Sequence, residues 1–451
     1  MSYRLLLGVA AYVLALTYSE IANYFDTDDM MNLYGAWHRF PDQVRPAGAL
    51  FYRAIFAIAG FNPLPFHLAA YALILCNLAL LARLLTRFSP SPAAALFFGC
   101  FQGSMWMIYA STGMIYDVLC ATFLYAALLI AIERPTWWPA IAVLHIGAVG
   151  AKELGVALPV LLVLYSAYHQ RVPTPTLVAT TAVSVVFAAQ RLLLPGPLTG
   201  LAAYTPEFTL TRIFENITVY TTMLFSHVIP FTSLSAILFW LGLFAIARAI
   251  RSRPMAFGLL FFWLAMSPML LATPRHAGYV FYMPFLGLAI AAGAVYNVSL
   301  RKFRVPKAVV FGLLVVSLHL YQKRVTFRRG ETPSGHAEIR QLAQIKLPLQ
   351  QGQRVLLINS PGLPYSWLGI FTLTLTHRVR DLTVDEFLRA PDPMPQYDHV
   401  IRFPLAGYTS SRSLYGTTSP VSTNRFNSRK YIAQQNDDVR KCALASVHPL
   451  C

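Results

Sequence analysis

The sequence predicts an all-α polytopic membrane protein with about eleven spanning helices, followed by a small C-terminal α/β soluble domain. Hydrophobic residues make up 56% of the 451 residues and charged residues only 12%, against about 25% charge in a typical soluble domain. Apolar runs of near-spanning length recur from Leu5 to about Leu320. After Tyr321 the composition becomes polar, which predicts a boundary between a membrane domain, 1–320, and a second domain, 321–451.

The apolar runs define the helices of the first domain, and Pro-containing breaks separate several of them. The first run, Leu5 to Ser19, has the length of a signal-peptide core but leads into Glu20–Tyr24 without a small-residue cleavage site. We therefore expect a retained first helix. The predicted spans are 4–22, 66–86, 93–111, 114–132, 137–151, 154–169, 175–193, 232–250, 255–272, 279–298 and 306–320.

The formal net charge of +17 would suit nucleic-acid binding, but the distribution of the charges indicates membrane topology instead. One face collects twelve bases against one acid, Glu133. By the positive-inside rule this face is cytoplasmic, which predicts a multi-pass inner-membrane protein with a cytoplasmic N-terminus and no nucleic-acid partner. The bases are Arg4, Arg83, Arg87, Arg134, Arg171, Arg248, Arg251, Arg253, Arg301, Lys302, Arg304 and Lys307.

The opposite face, predicted to be extracytoplasmic, carries bases that the sorting rule does not explain and that a shared anionic ligand would explain. Two long loops lie on this face, 23–65 and 194–231. Within the second loop, Arg212–Pro230 is apolar but interrupted by polar residues, and we interpret it as a re-entrant or interfacial helix. If it spans instead, everything after it changes sides. The bases are Arg39, Arg45, Arg53, Lys152, Arg191, Arg212 and Arg275.

The composition of residues 321–451 predicts a small mixed α/β domain, which eleven spans would place outside the cytoplasm. We expect a poorly ordered stretch rich in Ser, Thr and Asn from about Thr409. A disulfide between Cys442 and Cys451 in this tail is left open. The strand-like runs are Arg354–Asn359, Phe371–Thr376 and Tyr397–Phe403.

The first outer loop begins with three carboxylates in four positions, Asp26, Asp28 and Asp29, directly after the first helix. Such a cluster coordinates a cation, meets bases from other loops or supplies a catalytic base. A solvated acidic loop is the alternative, and the aromatic residues of the same loop weigh against it. Arg45 could grip a phosphate bidentately, or it could snorkel or pair with a loop aspartate, and Arg53 follows before the second helix.

Other outer turns also carry ionisable groups, and we expect them to converge with the first loop on one site. In the alternative interpretation, Lys152 and Glu153 neutralise each other, and Arg275 with His276 anchors the chain at the membrane interface. The candidate residues in these turns are Asp117, Lys152, Glu153, Arg275, His276 and Tyr279.

The sequence resembles the C-type (GT-C) membrane glycosyltransferases, which include protein O-mannosyltransferases and their bacterial relatives. The resemblance covers roughly residues 5–320 and depends on the position of the diacid after the first helix. One departure is that no distinct sugar-binding module is found in a late loop, which leaves a protein acceptor in doubt. The residues that carry the resemblance are Asp28-Asp29, Arg45-Pro46 through Phe61-Asn62-Pro63-Leu64-Pro65-Phe66-His67, and Ala151-Lys152-Glu153-Leu154 running into Leu158–Leu162.

The resemblance implies a donor in which a sugar is carried on a polyprenyl phosphate. Cations would stabilise the leaving phosphate, and a carboxylate would take the proton of the acceptor hydroxyl, with inversion at the anomeric centre. Asp28 or Asp29 is the expected base, and the same pair could instead hold Mg²⁺ or Mn²⁺. The acceptor would be a glycan, a lipid or a protein. The residues expected at the donor phosphate and sugar are Arg45, Arg53, Asp117, Lys152, Glu153, Arg275, His276 and Tyr279.

Two other classes of protein compete with this interpretation. A transporter or flippase for a lipid-linked or anionic substrate would favour ionisable groups at mid-helix depth and broken helices. The helix centres here are mostly free of charge, and the charges gather at the outer ends, which favours an interfacial enzyme. A membrane-anchored sensor would need a functional tail, and the tail shows no nucleotide loop, catalytic Cys/His pair or metal motif.

Overall fold

The computed structural model describes residues 3–38, 45–100, 105–169, 171–193, 206–225, 227–271, 276–303, 336–360, 366–387, 396–403 and 423–424, with isolated residues between 306 and 320. The chain divides into two compact units, Met1–Ser334 and Gly335–Cys451. The first unit is helical, and the second combines helices with a small sheet. The fold class predicted from the sequence is therefore confirmed.

The helices of the first unit follow most of the predicted spans to within a few residues, and two further helices lie in the first outer loop. Short 3-10 turns at Thr112–Met114, Glu153–Ala157 and Gly278–Phe281 lie between helices. The helices are α1 Tyr3–Ile21, α2 Thr27–His38, α3 Pro46–Ala59, α4 Pro63–Phe88, α5 Pro92–Cys100, α6 Met107–Ala110, α7 Ile115–Glu133, α8 Trp138–Ala151, α9 Leu158–Tyr168, α10 Thr174–Leu193, α11 Leu210–Leu224, α12 Ser233–Ala249, α13 Arg253–Leu270 and α14 Phe285–Phe303.

Four helical segments in the described part of the chain are long and apolar enough to cross a membrane. They are Tyr3–Ile21, Pro63–Phe88, Thr112–Glu133 and Arg253–Leu270. Shorter apolar helices of 10–17 residues include α3, α8 and α12, below the roughly 20 residues of a typical straight span.

The predicted span 93–111 is wrong as a single helix. In the described residues, α5 reaches Cys100, Met105 and Trp106 are not α-helical, and the four-residue α6 ends before Ser111, whose backbone is extended. The Ser111 side chain accepts a hydrogen bond from the Gly113 N–H at 3.0 Å, and this cap starts the turn that leads into α7. Most of the predicted span 306–320, and residues 101–104, lie outside the described residues.

Local sequence signals explain where several helices begin and end. Asn62 caps α4 by accepting the Leu64 N–H at 3.2 Å, and Pro63 occupies the first turn, where its missing N–H costs nothing. Helix α4 ends at Phe88, just before Ser89-Pro90. The segment predicted as re-entrant, Arg212–Pro230, contains most of α11, which begins at Leu210 and ends at Leu224 before a turn.

Helices α13 and α14 pack backbone to backbone. A Cβ atom added at Gly258 would lie 2.4 Å from the Gly287 carbonyl oxygen, and one added at Gly287 would lie 2.4 Å from the Gly258 oxygen. Such close approach is typical of small residues between membrane helices, where van der Waals packing replaces the hydrophobic effect as the driving force.

The second unit contains a sheet with the strand order β2-β1-β3-β4. Strand β1 pairs in parallel with β2 and β3, and β4 is antiparallel to β3. The elements are helix α15 His336–Ala343, β1 Arg354–Ile358, helix α16 Ser366–His377, β2 Thr383–Phe387, β3 His399–Arg402 and β4 Thr423–Asn424.

The predicted strand at Phe371–Thr376 is wrong, because this segment belongs to helix α16. Its β-branched and aromatic residues favour a strand locally. A parallel β1–β2 pair, however, needs a crossover connection, which is usually a helix. Strand-like runs around β1 and β3 are confirmed. The tail from Thr409, including Cys442 and Cys451, lies outside the described residues except for β4.

Candidate active site

The acidic cluster of the first outer loop forms the N-terminus of helix α2. The Asp26 side chain accepts the Asp29 N–H at 2.8 Å, and the Asp29 side chain accepts the Asp26 N–H at 3.0 Å. This reciprocal arrangement is a capping box, with an aspartate in place of the usual glutamate. Asp28 and Asp29 in the first turn, together with the capping Asp26, also place negative charge at the positive end of the helix dipole. Helix formation thus explains part of the cluster.

Asp29 is fully buried, and its carboxylate accepts hydrogen bonds from two hydroxyl groups. The Tyr52 hydroxyl donates to Asp29 Oδ1 at 3.1 Å, and the Thr112 hydroxyl donates to the same oxygen. Burial and the charge of Asp26 raise the pKa of Asp29 well above its usual range, although these hydroxyl donors oppose the shift. Burial likewise raises the pKa of Asp26 to about 6. Both groups are held in place inside the protein.

Asp28 is different from its two neighbours. Its residue is half-buried, and its carboxylate makes no hydrogen bond or ion pair with the described residues. It lies against Gly113, where an added Cβ atom would come within 2.8 Å of the Asp28 Cβ. Asp28 is therefore positioned by packing on Gly113, and its residue is less enclosed than Asp26 and Asp29.

Lys152 pairs with Asp117 rather than with its sequence neighbour. The Lys152 Nζ lies 2.5 Å from Asp117 Oδ2, and both side chains are less than 8% exposed. The same ammonium group lies 4.6 Å from the centroid of the Tyr279 ring, a cation–π contact. The other carboxylate oxygen of Asp117, Oδ1, is buried without a hydrogen-bond partner. This oxygen can accept a further hydrogen bond at the site.

Glu153 is held by two guanidinium groups. Arg45 donates to both carboxylate oxygens, at 3.2 and 2.8 Å, and Arg191 donates to one at 3.2 Å. All three side chains are about a quarter exposed, at 24–27%. Two guanidinium charges against one carboxylate leave this group with a net charge of +1.

Helix α3 connects the carboxylate cluster to the ion pairs. Its Tyr52 binds Asp29, and the rings of Tyr52 and Tyr116 lie 6.5 Å apart. The Arg45 guanidinium, at the start of α3, lies 5.6 Å from the Tyr116 ring. Only glycine fits at position 48, because a Cβ atom there would fall 2.0 Å from the Tyr116 ring. Tight packing of α3 on α7 thus joins the two groups.

Most of the candidate residues predicted from the sequence meet in this arrangement. His276 lies in a second contact group, where Nε2 is 2.6 Å from Asn216 Oδ1, and Arg53 is exposed on α3. Arg275 lies outside the described residues. Those that meet directly or through Tyr52 and Tyr116 are Asp29, Arg45, Asp117, Lys152, Glu153 and Tyr279. Asp28 is next to Asp29 in the chain and lies against Gly113, and no contact joins it to the ion pairs in the described part of the chain.

The sequence interpretation did not select Tyr52, Thr112 or Arg191 for the site. Arg191 had a usable signal, because it is one of the bases on the outer face that the positive-inside rule leaves unexplained. Tyr52 and Thr112 gave no such signal, since single polar residues in apolar helices are common.

No group of three or more His, Cys, Asp or Glu side chains that could hold a metal ion is present among the residues described. Asp29 already accepts two hydroxyl donors and a backbone N–H. Binding of Mg²⁺ or Mn²⁺ by Asp28 and Asp29 stays a prediction.

No protein-family model and no curated protein sequence matches this chain. Among solved structures, the chain is similar to the crystal structure of ArnT from Cupriavidus metallidurans bound to undecaprenyl phosphate. The two share 14% sequence identity over 85% of each chain, with a TM-score of 0.48. With 14% identity and a TM-score of 0.48, this likeness assigns neither a function nor residue roles to the chain.

Proposed function

We propose that this chain is a membrane glycosyltransferase that moves a sugar from a polyprenyl-phosphate donor to an acceptor hydroxyl. The proposal rests on one observation: carboxylates and cations from four separated segments collect at the same end of apolar helices. These segments are the start of α2, the start of α3, the start of α7 and the 152–153 turn. Transfer between a lipid-borne donor and a polar acceptor needs both kinds of group at the membrane surface.

Asp28 is the base in this proposal. A base must reach the acceptor hydroxyl, and Asp28 is half-buried with no bonded partner among the described residues. Asp29 is fully enclosed by Tyr52, Thr112 and the α2 backbone, and it positions the turn that presents Asp28. Attack by the activated hydroxyl opposite the phosphate would invert the anomeric centre.

The donor phosphate would be met by the cations of the site. The carbon–oxygen bond to the sugar breaks, and its electron pair stays on the phosphate oxygen, so the transition state gains negative charge there. The two guanidinium groups of Arg45 and Arg191 and the carboxylate of Glu153 together carry a net charge of +1. A guanidinium such as that of Arg45 can offer a phosphate two parallel donors. Lys152, and Arg275 from the neighbouring turn, are further candidates for this contact.

A transporter or flippase is the rival function. Among the Asp, Glu, Lys and Arg residues in the described part of the chain, those that are buried are Asp26, Asp29, Asp117 and Lys152. Each lies at or just beyond a helix end rather than at mid-helix depth. This distribution favours chemistry at the interface over passage through the bundle. We place the site on the extracytoplasmic side, following the charge distribution of the loops.

A donor screen tests the proposal. Purified full-length protein in lipid vesicles is incubated with a panel of radiolabelled polyprenyl-phosphate sugars, together with a membrane extract as acceptor source. We expect consumption of one donor with release of the polyprenyl phosphate. Vesicles without protein are the control. If no donor is consumed while the protein is folded, the transferase proposal fails, and uptake of an intact donor across the vesicle would favour the transporter.

A further inference from the structure

A second polar site lies at the opposite ends of the helices that carry the proposed active site. A cavity of about 660 Å³ opens where α4, α7 and α9 end. Its volume is in the range of ordinary small-ligand sites. The lining residues are Arg83, Arg87, Phe88, Ile132, Glu133, Arg134, Tyr165 and His169.

Helix α7 fixes the separation between the two sites. Asp117 lies in its first turn and Glu133 at its last residue, and sixteen residues of helix rise by about 24 Å. The cavity is therefore on the other side of the bilayer from the carboxylate cluster, on the face where the loop charges predict the cytoplasm. None of its residues takes part in the proposed transfer reaction.

The cavity is strongly basic. Arg83 donates to both oxygens of Glu133 at 3.0 and 2.6 Å, and Arg87 donates to one of them at 3.2 Å. The Arg134 guanidinium lies 4.5 Å from the centroid of the Trp137 ring. Three guanidinium groups and one carboxylate give a net charge of +2. Glu133 thus holds two of the arginines in fixed positions without neutralising the cavity.

Aromatic rings form the rest of the wall. The Phe88 ring lies 6.0 Å from Tyr165 and 5.4 Å from His169, and the Tyr165 and His169 rings stack at 5.3 Å. Next to the cavity, Trp137 and Trp138 are 50% and 45% exposed. Exposed Trp residues at helix ends mark the level of the lipid headgroups.

We propose that this cavity binds the phosphate of an anionic membrane phospholipid. Guanidinium groups pair with phosphates through planar, bidentate hydrogen bonds. Basic pockets between membrane helices on the cytoplasmic side suit anionic headgroups, and the Trp residues put this one at headgroup depth. The positive-inside rule accounts for the sign of the charge, but it does not account for a formed cavity that is lined by three arginines, two of them bound to one carboxylate.

The test is native mass spectrometry of the full-length protein with phosphatidylglycerol or phosphatidylcholine. We expect phosphatidylglycerol to bind at least roughly tenfold more tightly than phosphatidylcholine. The double variant Arg87→Gln/Arg134→Gln leaves the Arg83–Glu133 pair intact and should weaken phosphatidylglycerol binding by about tenfold. Equal binding of the two lipids, or unchanged binding in this variant, would overturn the proposal.

The matched control removes two positive charges from the same membrane face outside the cavity. Arg248 and Arg253 are exposed at the α12–α13 turn, and Arg248→Gln/Arg253→Gln should leave phosphatidylglycerol binding unchanged. An equal loss of phosphatidylglycerol binding in the control would mean non-specific attraction and would overturn the proposed lipid site.

Inorganic phosphate at millimolar concentration should not displace the lipid. Displacement would assign the cavity to soluble phosphate instead and overturn the proposal. If the double variant of the cavity does not fold, Arg134→Gln alone must bind phosphatidylglycerol more weakly than the wild type does.

Discussion

At the scale of single residues, two adjacent aspartates have opposite surroundings. Asp29 points inward and is bonded to Tyr52, Thr112 and the first turn of its own helix. Asp28 is half-buried, and its Cβ atom lies against Gly113. The resemblance stated from the sequence allowed either aspartate to be the base. Our proposal assigns the base to Asp28, because a base must reach its substrate and the Asp29 side chain is enclosed.

Buried Asp26 should make stability depend on pH. Its pKa is raised to about 6 by burial, from about 3.9 in an unfolded chain. A raised pKa means that the folded state binds the proton more tightly, so this stabilisation is complete below about pH 4 and is lost as pH rises through 6. We therefore expect the Tm of the wild type to decrease as pH rises from 4 to above 6. The corresponding loss in the free energy of unfolding is roughly 2–3 kcal/mol.

Asp26→Asn is the matched control for this pH dependence. The amide oxygen can still accept the Asp29 N–H, and asparagine is a good N-cap residue, but the group no longer titrates. The Tm of Asp26→Asn should therefore rise relative to that of the wild type as pH increases from 4 to 7. A difference that stays constant from pH 4 to pH 7 would show that Asp26 titrates as in the unfolded chain.

The residue types of the site were predictable from the sequence, but the partners were not. Lys152 and Glu153 are neighbours, and mutual neutralisation was the simple alternative. Helix α8 ends at Ala151, and Lys152 has an extended backbone, so successive side chains point in opposite directions. Lys152 consequently meets Asp117, 35 residues away, and Glu153 meets Arg45, 108 residues away. No local pattern encodes such distant pairs.

At the scale of elements, long apolar runs were the most predictable features. The runs for α1, α4, α7 and α13 each gave a helix of spanning length. Helices α2 and α3 were missed, because their segment contains charges, aromatic residues and prolines that resemble a loop. The capping box of Asp26 and Asp29, and Pro46 at the start of α3, were the available signals.

The contact between α13 and α14 gives a prediction for a helix pair. Gly258→Ala would place a methyl group 2.4 Å from the Gly287 carbonyl oxygen, so the helices must separate, at a cost of roughly 1–3 kcal/mol. We expect a clear fall in Tm for the purified protein in detergent. Gly242→Ala on α12, where nothing lies within 4 Å, should leave Tm unchanged or slightly raised. Similar Tm values for both variants would contradict the backbone contact.

At the scale of the whole molecule, the change from apolar to polar composition after Tyr321 predicts a domain boundary, and the chain divides into two compact units at Ser334 and Gly335. The parallel sheet of the second unit was less visible. Strands β1 and β3 lie in recognisable runs, whereas the sequence predicts a strand for the segment that forms helix α16 between β1 and β2. Topology decided that assignment, because parallel neighbours cannot be joined by a tight turn.

Membrane orientation is a whole-molecule prediction that thiol labelling can test. Ala22, after α1, and Thr136, between α7 and α8, are both exposed. We expect a membrane-impermeant thiol reagent to label Ala22→Cys in intact cells, and Thr136→Cys only after the membrane is opened. The parent protein, with its native cysteines, sets the background. Labelling of Thr136→Cys alone in intact cells would reverse the orientation, and with it the side of the proposed site.

The role of Asp28 is the central claim, and turnover of the donor identified in the screen tests it most directly. Asp28→Asn should lower kcat by about 10²–10⁴-fold, the usual contribution of a positioned base, while Tm stays close to that of the wild type. Asp29→Ala, in contrast, should lower Tm because it removes the acceptor of the Tyr52 and Thr112 hydroxyls and of the Asp26 N–H. Wild-type kcat in a folded Asp28→Asn variant would contradict the account.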